Sequence, residues 1–189
     1  MLEIELKASL EGMSSEEVLH RAQSCGFVPC EQVRETDIYF NGDQRDFRRT
    51  DEALRLRSLT VLPDGPCESL LTYKGPKLDQ ISNTRTEYET AIADGATAKK
   101  LLEALGYRPV FTVDKTRHTY RLDDVTLCMD DVVGLGKFLE LETLAASEEC
   151  RETSVARLLT LLDRLGVARE RLTRRSYLEM LMRRQASTL

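Results

Sequence analysis

Pairs of like charge recur two positions apart along this sequence. The acidic pairs are Glu3/Glu5, Glu87/Glu89 and Glu140/Glu142, and the basic pairs are Arg55/Arg57 and Lys115/Arg117. Residues i and i+2 of a β-strand lie on one face, so each pair would concentrate charge on one side of a sheet. Because like charges repel, the acidic pairs predict a divalent cation and the basic pairs a polyanion. Carboxylates with Mg²⁺ beside a cationic lining are suited to phosphoryl chemistry.

The segments that carry these pairs alternate apolar and charged residues, which is typical of half-buried strands. Strands are predicted over 2–7, 53–57, 70–74, 84–92, 111–121, 125–132 and 138–142. The charged face also receives Lys7, Lys74, Arg85 and Asp130. One such strand would fit an ordinary sheet with its polar face in water. Nearly every position of this face is charged in strand after strand, which favours an inverted barrel with a charged, wet interior.

Helices are predicted where the apolar period changes from two to about four. One begins after Ser14, which forms a capping-box pattern with Glu17, and ends at Gly26. A second runs from Asp94 to Gly106, a third spans about 150–165, and a shorter one lies around 177–182. The first three are available to cover the aliphatic face of the sheet.

The sequence contains an internal repeat. Gly26-Phe27-Val28-Pro29 is matched by Gly106-Tyr107-Arg108-Pro109, and the residues that follow match at the same offset. A helix precedes each copy, and an acidic pair precedes each helix. Two β-α-β halves of this kind predict a pseudo-twofold antiparallel sheet. No linker rich in Pro, Gly or Ser divides the chain, so residues 1–189 are predicted to form a single domain.

Composition excludes several classes of function. The chain has 189 residues and a net charge of −5, which argues against sequence-independent DNA binding. It has no 18-residue apolar run for a membrane span, and its acidic, alternating start does not resemble a secretory signal. Five scattered cysteines fit reduced thiols in a cytoplasmic protein. Two histidines give little material for a histidine metal site or a Ser/His/Asp triad.

The residues resemble a known family. Glu3-Ile4-Glu5-Leu6-Lys7 is similar to the ExExK signature of the CYTH superfamily, the triphosphate tunnel metalloenzymes. Further segments resemble family strands in the family's order: Leu54-Arg55-Leu56-Arg57, Thr72-Tyr73-Lys74-Gly75-Pro76, Arg85-Thr86-Glu87-Tyr88-Glu89, Lys115-Thr116-Arg117 and the hairpin 130–142. Ser176-Tyr177 resembles the start of the family's last helix. The resemblance covers essentially the whole chain.

The resemblance implies an α+β fold: an eight-stranded antiparallel barrel that binds a triphosphate, with helices packed outside. It implies phosphate binding by Lys7, Arg55, Arg57, Lys74, Arg85, Lys115 and Arg117. It implies that Glu3, Glu5, Asp130, Glu140 and Glu142 hold Mg²⁺ or Mn²⁺. It also suggests catalytic roles for Lys7, Glu87, Glu89 and Asp130. Glu87 and Glu89 could join the metal ligands or orient the cations, and the sequence does not separate these roles.

Within the superfamily, the motifs look most like the class IV adenylyl cyclase (CyaB-like) branch, which forms cyclic AMP and pyrophosphate from ATP. Some cyclases carry a histidine-containing segment ahead of ExExK, whereas this sequence starts at Met1. A triphosphatase acting on thiamine triphosphate or tripolyphosphate is therefore an alternative, and a non-catalytic nucleotide-binding module is another.

Two smaller expectations concern contacts. Phe40, Tyr73 and Tyr88 are expected to pack rather than to form a platform for a base. The Arg-rich tail, residues 169–184, could support a homodimer, but we expect it to be a solvated amphipathic helix.

Overall fold

In the computed structural model of the chain, the described residues are 2–77, 85–145, 147 and 150–187. The strands are β1 (Leu2–Ser9), β2 (Val28–Gly42), β3 (Ala53–Val61), β4 (Cys67–Lys74), β5 (Glu87–Ile92), β6 (Tyr107–Leu122), β7 (Val125–Val132) and β8 (Gly136–Ala145). The α-helices are α1 (Ser15–Ser24), α2 (Gly95–Ala104), α3 (Arg151–Arg164) and α4 (Tyr177–Ala186). No helix in these ranges is both long enough and apolar enough to cross a membrane.

All eight strands form one antiparallel sheet in the order β1-β8-β7-β6-β2-β3-β4-β5. The sheet curls so that its two ends meet. The contact between them is a β-bridge from Glu3 of β1 to Arg85, just ahead of β5. The predicted strand 84–92 begins at Thr84, which lies outside the described residues, and the rest of it supplies this bridge and β5. The predicted eight-stranded barrel architecture is confirmed.

The sheet order also shows the pseudo-twofold repeat. Exchanging β1–β4 with β5–β8 reverses the order and reproduces the same sheet, with the long β2–β6 pair at its centre. Gly26 ends the first repeat helix at φ +100° and Gly106 the second at φ +88°, a left-handed conformation that side chains disfavour. The repeated Gly-aromatic motif therefore marks the same turn from helix into strand in both halves.

Side-chain caps fix the starts of the repeat helices. The Ser14 hydroxyl accepts a hydrogen bond from the backbone N–H of Glu17, as the capping-box pattern predicts. The Asp94 carboxylate accepts one from the N–H of Thr97, 3.1 Å away. These bonds satisfy helix N–H groups that have no partner within the helix.

The largest apolar core lies on the outer face of the sheet. Aliphatic residues of β1, β7 and β8 pack there against α1 and α3, and the fully buried ones include Ile4, Leu127, Leu141, Leu158 and Leu162. A second cluster, built on Phe40 and Leu56, is covered by Ala98 and Leu102 of α2. The three longer predicted helices therefore cover the face to which strand parity assigned them.

Helix α4 differs, because it packs on the inner face. Buried Tyr177 lies in one cluster with Val113, Val132 and Phe138. The backbone just before α4 is tied to β1, since the N–H of Thr173 donates to the carbonyl of Lys7 over 2.8 Å. The tail helix is amphipathic, as expected, and its Arg183 and Arg184 are exposed. Its other face is not solvated, however, and adds a wall to the interior of the sheet.

Burial in the outer core predicts a contrast between two helical leucines. Leu158→Ala should lower the free energy of unfolding by about 2–5 kcal/mol, because this fully buried side chain leaves a cavity under α3. Leu101→Ala, at a helical position that is 59% exposed, is the matched control and should change it by less than about 0.5 kcal/mol. Urea unfolding of both variants measures the difference, and equal losses would contradict the assigned core.

Candidate functional site

The concave face of the sheet and helix α4 enclose a cavity of about 480 Å³. Its lining contains every residue that the sequence assigned to the charged face except Asp130: Glu3, Glu5, Lys7, Arg55, Arg57, Lys74, Arg85, Glu87, Glu89, Lys115, Arg117, Glu140 and Glu142. The fold thus brings these side chains into one cavity, as strand parity predicts. The roles that the resemblance gives them stay predictions.

Strand register places cations opposite acids. Lys7 of β1 faces Glu140 of β8, and its Nζ atom lies 3.1 Å from that carboxylate and 2.8 Å from Glu5. Arg117 of β6 also contacts Glu140. Burial alone would lower the pKa of Lys7, but Glu5 and Glu140 outweigh it and the pKa is raised. Lys7 is therefore held in its charged form.

Three carboxylates converge at the β1–β8 pair. Oxygens of Glu5, Glu140 and Glu142 all lie within 4.8 Å of one another. Burial raises the pKa of Glu142 to about 7, with Arg117 opposing and Glu140 and Glu5 adding to the rise. Lys7 and Arg117 overcome burial at Glu140 and keep its pKa well below the usual range. Three hard oxygen donors suit Mg²⁺ or Mn²⁺, so the donor chemistry of this three-carboxylate cluster fits the predicted metal.

The other two predicted metal ligands lie elsewhere. The carboxylate of Asp130 is fully buried and receives Lys115 Nζ at 3.0 Å and the Arg117 guanidinium at 2.7 Å. Glu3 of β1 lies opposite Leu144 of β8 and also bridges Arg85, where the two ends of the sheet meet. Burial and a hydrogen bond with Glu87 raise the pKa of Glu3 to about 9. The structure therefore places neither acid in the three-carboxylate cluster.

Two acids that were not predicted from the sequence form ion pairs with residues of the basic pairs. Asp37 of β2 accepts two hydrogen bonds from Arg57, at 2.7 and 2.8 Å, and lies 3.4 Å from Arg55. Glu35 lies 2.8 Å from Arg57 and 3.1 Å from Lys115. Burial would raise the pKa of Asp37, but Arg55 and Arg57 outweigh it and hold the pKa far below its usual range. The i, i+2 acidic spacing of Glu35 and Asp37 could have found both.

Glu87 and Glu89 lie on β5 and contact polar and basic residues of β3 and β4. Lys74 Nζ lies 2.7 Å from Glu87. The Thr72 hydroxyl donates to Glu89 over 2.7 Å and accepts from Arg55 over 3.2 Å. These contacts orient Lys74 and Arg55, and the catalytic or metal-binding roles of Glu87 and Glu89 stay predictions.

The cavity also has an apolar part. Tyr39, Phe47, Leu178 and Met182 belong to its lining, and none of them was predicted as a site residue. Phe40 is buried in the outer core, and Tyr73 stacks on Tyr88 with ring centroids 6.3 Å apart. Phe40 and Tyr73 therefore pack as expected, whereas Tyr88 contacts Tyr73 but is 68% exposed. Tyr39 and Phe47, which lie beside the charged groups, come from β2 and from the β2–β3 loop.

Comparisons with known proteins agree with this geometry. The family model described as "CYTH domain" matches residues 1–177. A Methanocaldococcus jannaschii protein named "Putative adenylate cyclase MJ0240" is 37% identical over 180 residues, which cover 95% of this chain and 98% of that protein. The "Adenylate cyclase CyaB" of Aeromonas hydrophila is 29% identical over 79% of this chain and 73% of its own length. The PH1819 protein of Pyrococcus horikoshii superposes with a TM-score of 0.87 at 39% identity, covering 96% of this chain and 99% of that one.

Asp37 offers a test of charge pairing in the cavity. Asp37→Asn should lower the free energy of unfolding at neutral pH by about 3–5 kcal/mol, because Arg55 and Arg57 would stay buried without their shared carboxylate. Asp163→Asn, which breaks an exposed pair with Arg169, is the control and should leave stability nearly unchanged.

The pH dependence of that loss follows from the low pKa of Asp37. A depressed folded-state pKa stabilises the protein above the pKa of the unfolded chain, about 3.9, and this contribution disappears as the pH falls through the folded-state value. The difference between the parent protein and Asp37→Asn should therefore be constant near neutral pH and shrink below about pH 4. Chemical unfolding across this range measures it, and a difference that grew in acid would refute the pairing.

Proposed function

The chain belongs to the CYTH domain family, and on this basis we propose that it binds a nucleoside triphosphate with Mg²⁺ or Mn²⁺ in its charged cavity and cyclises it, as an adenylyl cyclase does. One observation carries the proposal: a three-carboxylate cluster and a set of buried cations line the same cavity. The names of the two relatives, "Putative adenylate cyclase MJ0240" and "Adenylate cyclase CyaB", support the choice of reaction.

The cations would bind the triphosphate along the inner face. Arg55, Arg57 and Lys115 are buried, and Arg117 is partly buried. All four are already oriented by acids, so phosphate oxygens would meet donors with little freedom left to lose. Guanidinium groups bind phosphate in a bidentate manner and lysines act as point charges. Glu5, Glu140 and Glu142 would hold the metal ion, which supplies neutralisation of phosphate charge when bound.

Cyclisation would then require mainly positioning. The ribose 3′-oxygen forms a bond to the α-phosphorus, the bond from that phosphorus to the bridging oxygen breaks, and pyrophosphate leaves. Lys7 and Arg117 beside the carboxylate cluster would offset charge on the leaving group. We assign the hydroxyl proton to Glu87 or Glu89, the carboxylates that line the cavity next to Lys74 and Arg55. Asp130 has no exposed carboxylate and would act only through Lys115 and Arg117.

The apolar part of the cavity supports an organic triphosphate. A base or another ring can pack on the apolar surface formed by Tyr39, Phe47, Leu178 and Met182. Inorganic tripolyphosphate has no apolar group that would contact this surface. A module that only binds anions would gain nothing from three converging carboxylates, which repel the ligand unless a cation is present.

Product analysis tests the reaction directly. The protein is incubated with Mn²⁺ or Mg²⁺ and, separately, ATP, thiamine triphosphate or tripolyphosphate. We expect cyclic AMP and pyrophosphate from ATP. Orthophosphate as the main product would show that water attacks the terminal phosphorus and would replace the cyclase with a triphosphatase. Tight binding without any product would support the binding module instead.

The metal role of the carboxylate cluster gives a second prediction. Glu142→Gln should lower metal-dependent turnover at least tenfold, an order-of-magnitude expectation for loss of one charged ligand. Metal-free binding of tripolyphosphate should be unchanged or tighter, because a negative charge leaves the cavity. Metal titrations of activity and calorimetry measure the two effects, with Glu68→Gln, exposed on β4, as the control. Weaker anion binding with an unchanged metal dependence would contradict the assignment.

A further inference from the structure

Tyr177 joins the last helix to the phosphate-binding cations. Its hydroxyl donates a hydrogen bond to Asp130 Oδ2 over 2.9 Å. The same carboxylate receives Lys115 Nζ at 3.0 Å, and Arg117 through both its Nε and its Nη2 at 2.7 Å. Among the donors described for this carboxylate, Lys115 and Arg117 are charged and lie on β6, the strand paired with β7. Tyr177 is the neutral donor and comes from outside the β6–β7 hairpin.

The ring of Tyr177 contacts the lysines directly. Lys7 Nζ lies 4.6 Å and Lys115 Nζ 5.2 Å from the ring centroid, both within the range of a cation–π contact. The ring also packs against Phe138 in a T-shaped contact, with centroids 5.1 Å apart and planes at 66°. Lysine ammonium groups lie on flexible stems, so a fixed aromatic face restricts where they can lie. One side chain thus contacts two lysines and, through Asp130, an arginine.

The local structure holds Tyr177 in place. Ser176 and Glu179 form a reciprocal capping box at the start of α4. Upstream, Leu172 bridges Ala8, and the N–H of Thr173 bonds to the carbonyl of Lys7. The segment that carries Tyr177 is therefore anchored to the strand that carries Lys7, at Lys7 itself.

We propose that Tyr177 is a positioning residue, which holds Lys7, Lys115 and Arg117 in the arrangement that binds phosphate. The inference rests on the proposed function, since it assumes that these cations bind a triphosphate. With Asp130 fixed by the tyrosine hydroxyl, Arg117 keeps its Nε edge on Asp130 and leaves Nη1 on the side of Glu142, 3.6 Å away. The cations are then set before the ligand arrives, which lowers the entropy lost on binding.

Tyr177→Phe tests this role, because it removes the hydroxyl and retains the ring. We expect metal-free affinity for tripolyphosphate to fall about tenfold, as for loss of a hydrogen bond to a charged group. With ATP and Mn²⁺, KM should rise because phosphate binding weakens, and kcat should fall as well because Lys7 and Arg117 also offset charge on the leaving group. Tyr120→Phe removes a hydroxyl from a buried tyrosine of the outer core and is the matched control, with affinity equal to that of the parent protein.

A second measurement follows from reciprocity: if docked α4 favours phosphate binding, bound phosphate must favour docked α4. Tripolyphosphate should slow tryptic cleavage at exposed Arg183 and Arg184 in the parent protein and have a smaller effect in Tyr177→Phe. Equal tripolyphosphate affinity in Tyr177→Phe and Tyr120→Phe, or absence of protection in the parent protein, would overturn the positioning role alone. A parent protein that neither binds tripolyphosphate nor converts ATP would overturn the proposed function, and this inference with it.

Discussion

Charge compensation between neighbouring strands is the interaction on which this structure depends. Lys7, Arg57, Lys115, Asp37, Asp130 and Glu140 are all buried, and each contacts at least one group of opposite sign. An unpaired ion in such a place would cost several kcal/mol, so the set can exist only as a network. Antiparallel register supplies it, because residues directly opposed across two strands share a face. The fold and the candidate site are consequences of the same pairing.

A charged interior moves the hydrophobic core to the outside of the sheet. Most barrels of this size fill their interior with aliphatic side chains, whereas here Ile4, Leu127 and Leu141 point outward and need α1 and α3 above them. The helices thus stabilise the curvature that encloses the charges. Helix α4 is the exception, since its tyrosine brings an aromatic ring and a hydroxyl into the charged space. Its position gives the interior an apolar wall without giving up charge pairing.

Strand parity was sufficient to predict seven of the eight strands, the charged face and about half of the cavity lining, because period two is a local property of the sequence. Strand parity could not predict contacts between strands that are distant in the sequence. The family resemblance implied that Asp130 is a metal ligand, and only the neighbouring strand shows that Lys115 and Arg117 enclose it. Glu35 and Asp37 follow the same alternation but were not predicted as site residues. Their segment was used only as evidence for the internal repeat that begins at Gly26. The place of α4 depends on where Tyr177 meets Phe138, which no local period encodes.

The acids in and behind the cavity lining form two groups, those enclosed by cations and those of the three-carboxylate cluster, and this difference bears on how a triphosphate would bind. Asp37 and Asp130 are saturated by arginine and lysine and can only hold those cations in place. Glu140 belongs to both groups, since it contacts Lys7 and Arg117 and also converges with Glu5 and Glu142. Any cation bound by the three carboxylates would compete with Lys7 and Arg117 for Glu140 and so leave these two side chains freer to bind phosphate. Because linkage is reciprocal, phosphate bound to Lys7 and Arg117 would in turn free Glu140 for the cation. A shared carboxylate is thus a physical reason for metal and triphosphate to bind more tightly together than either binds alone.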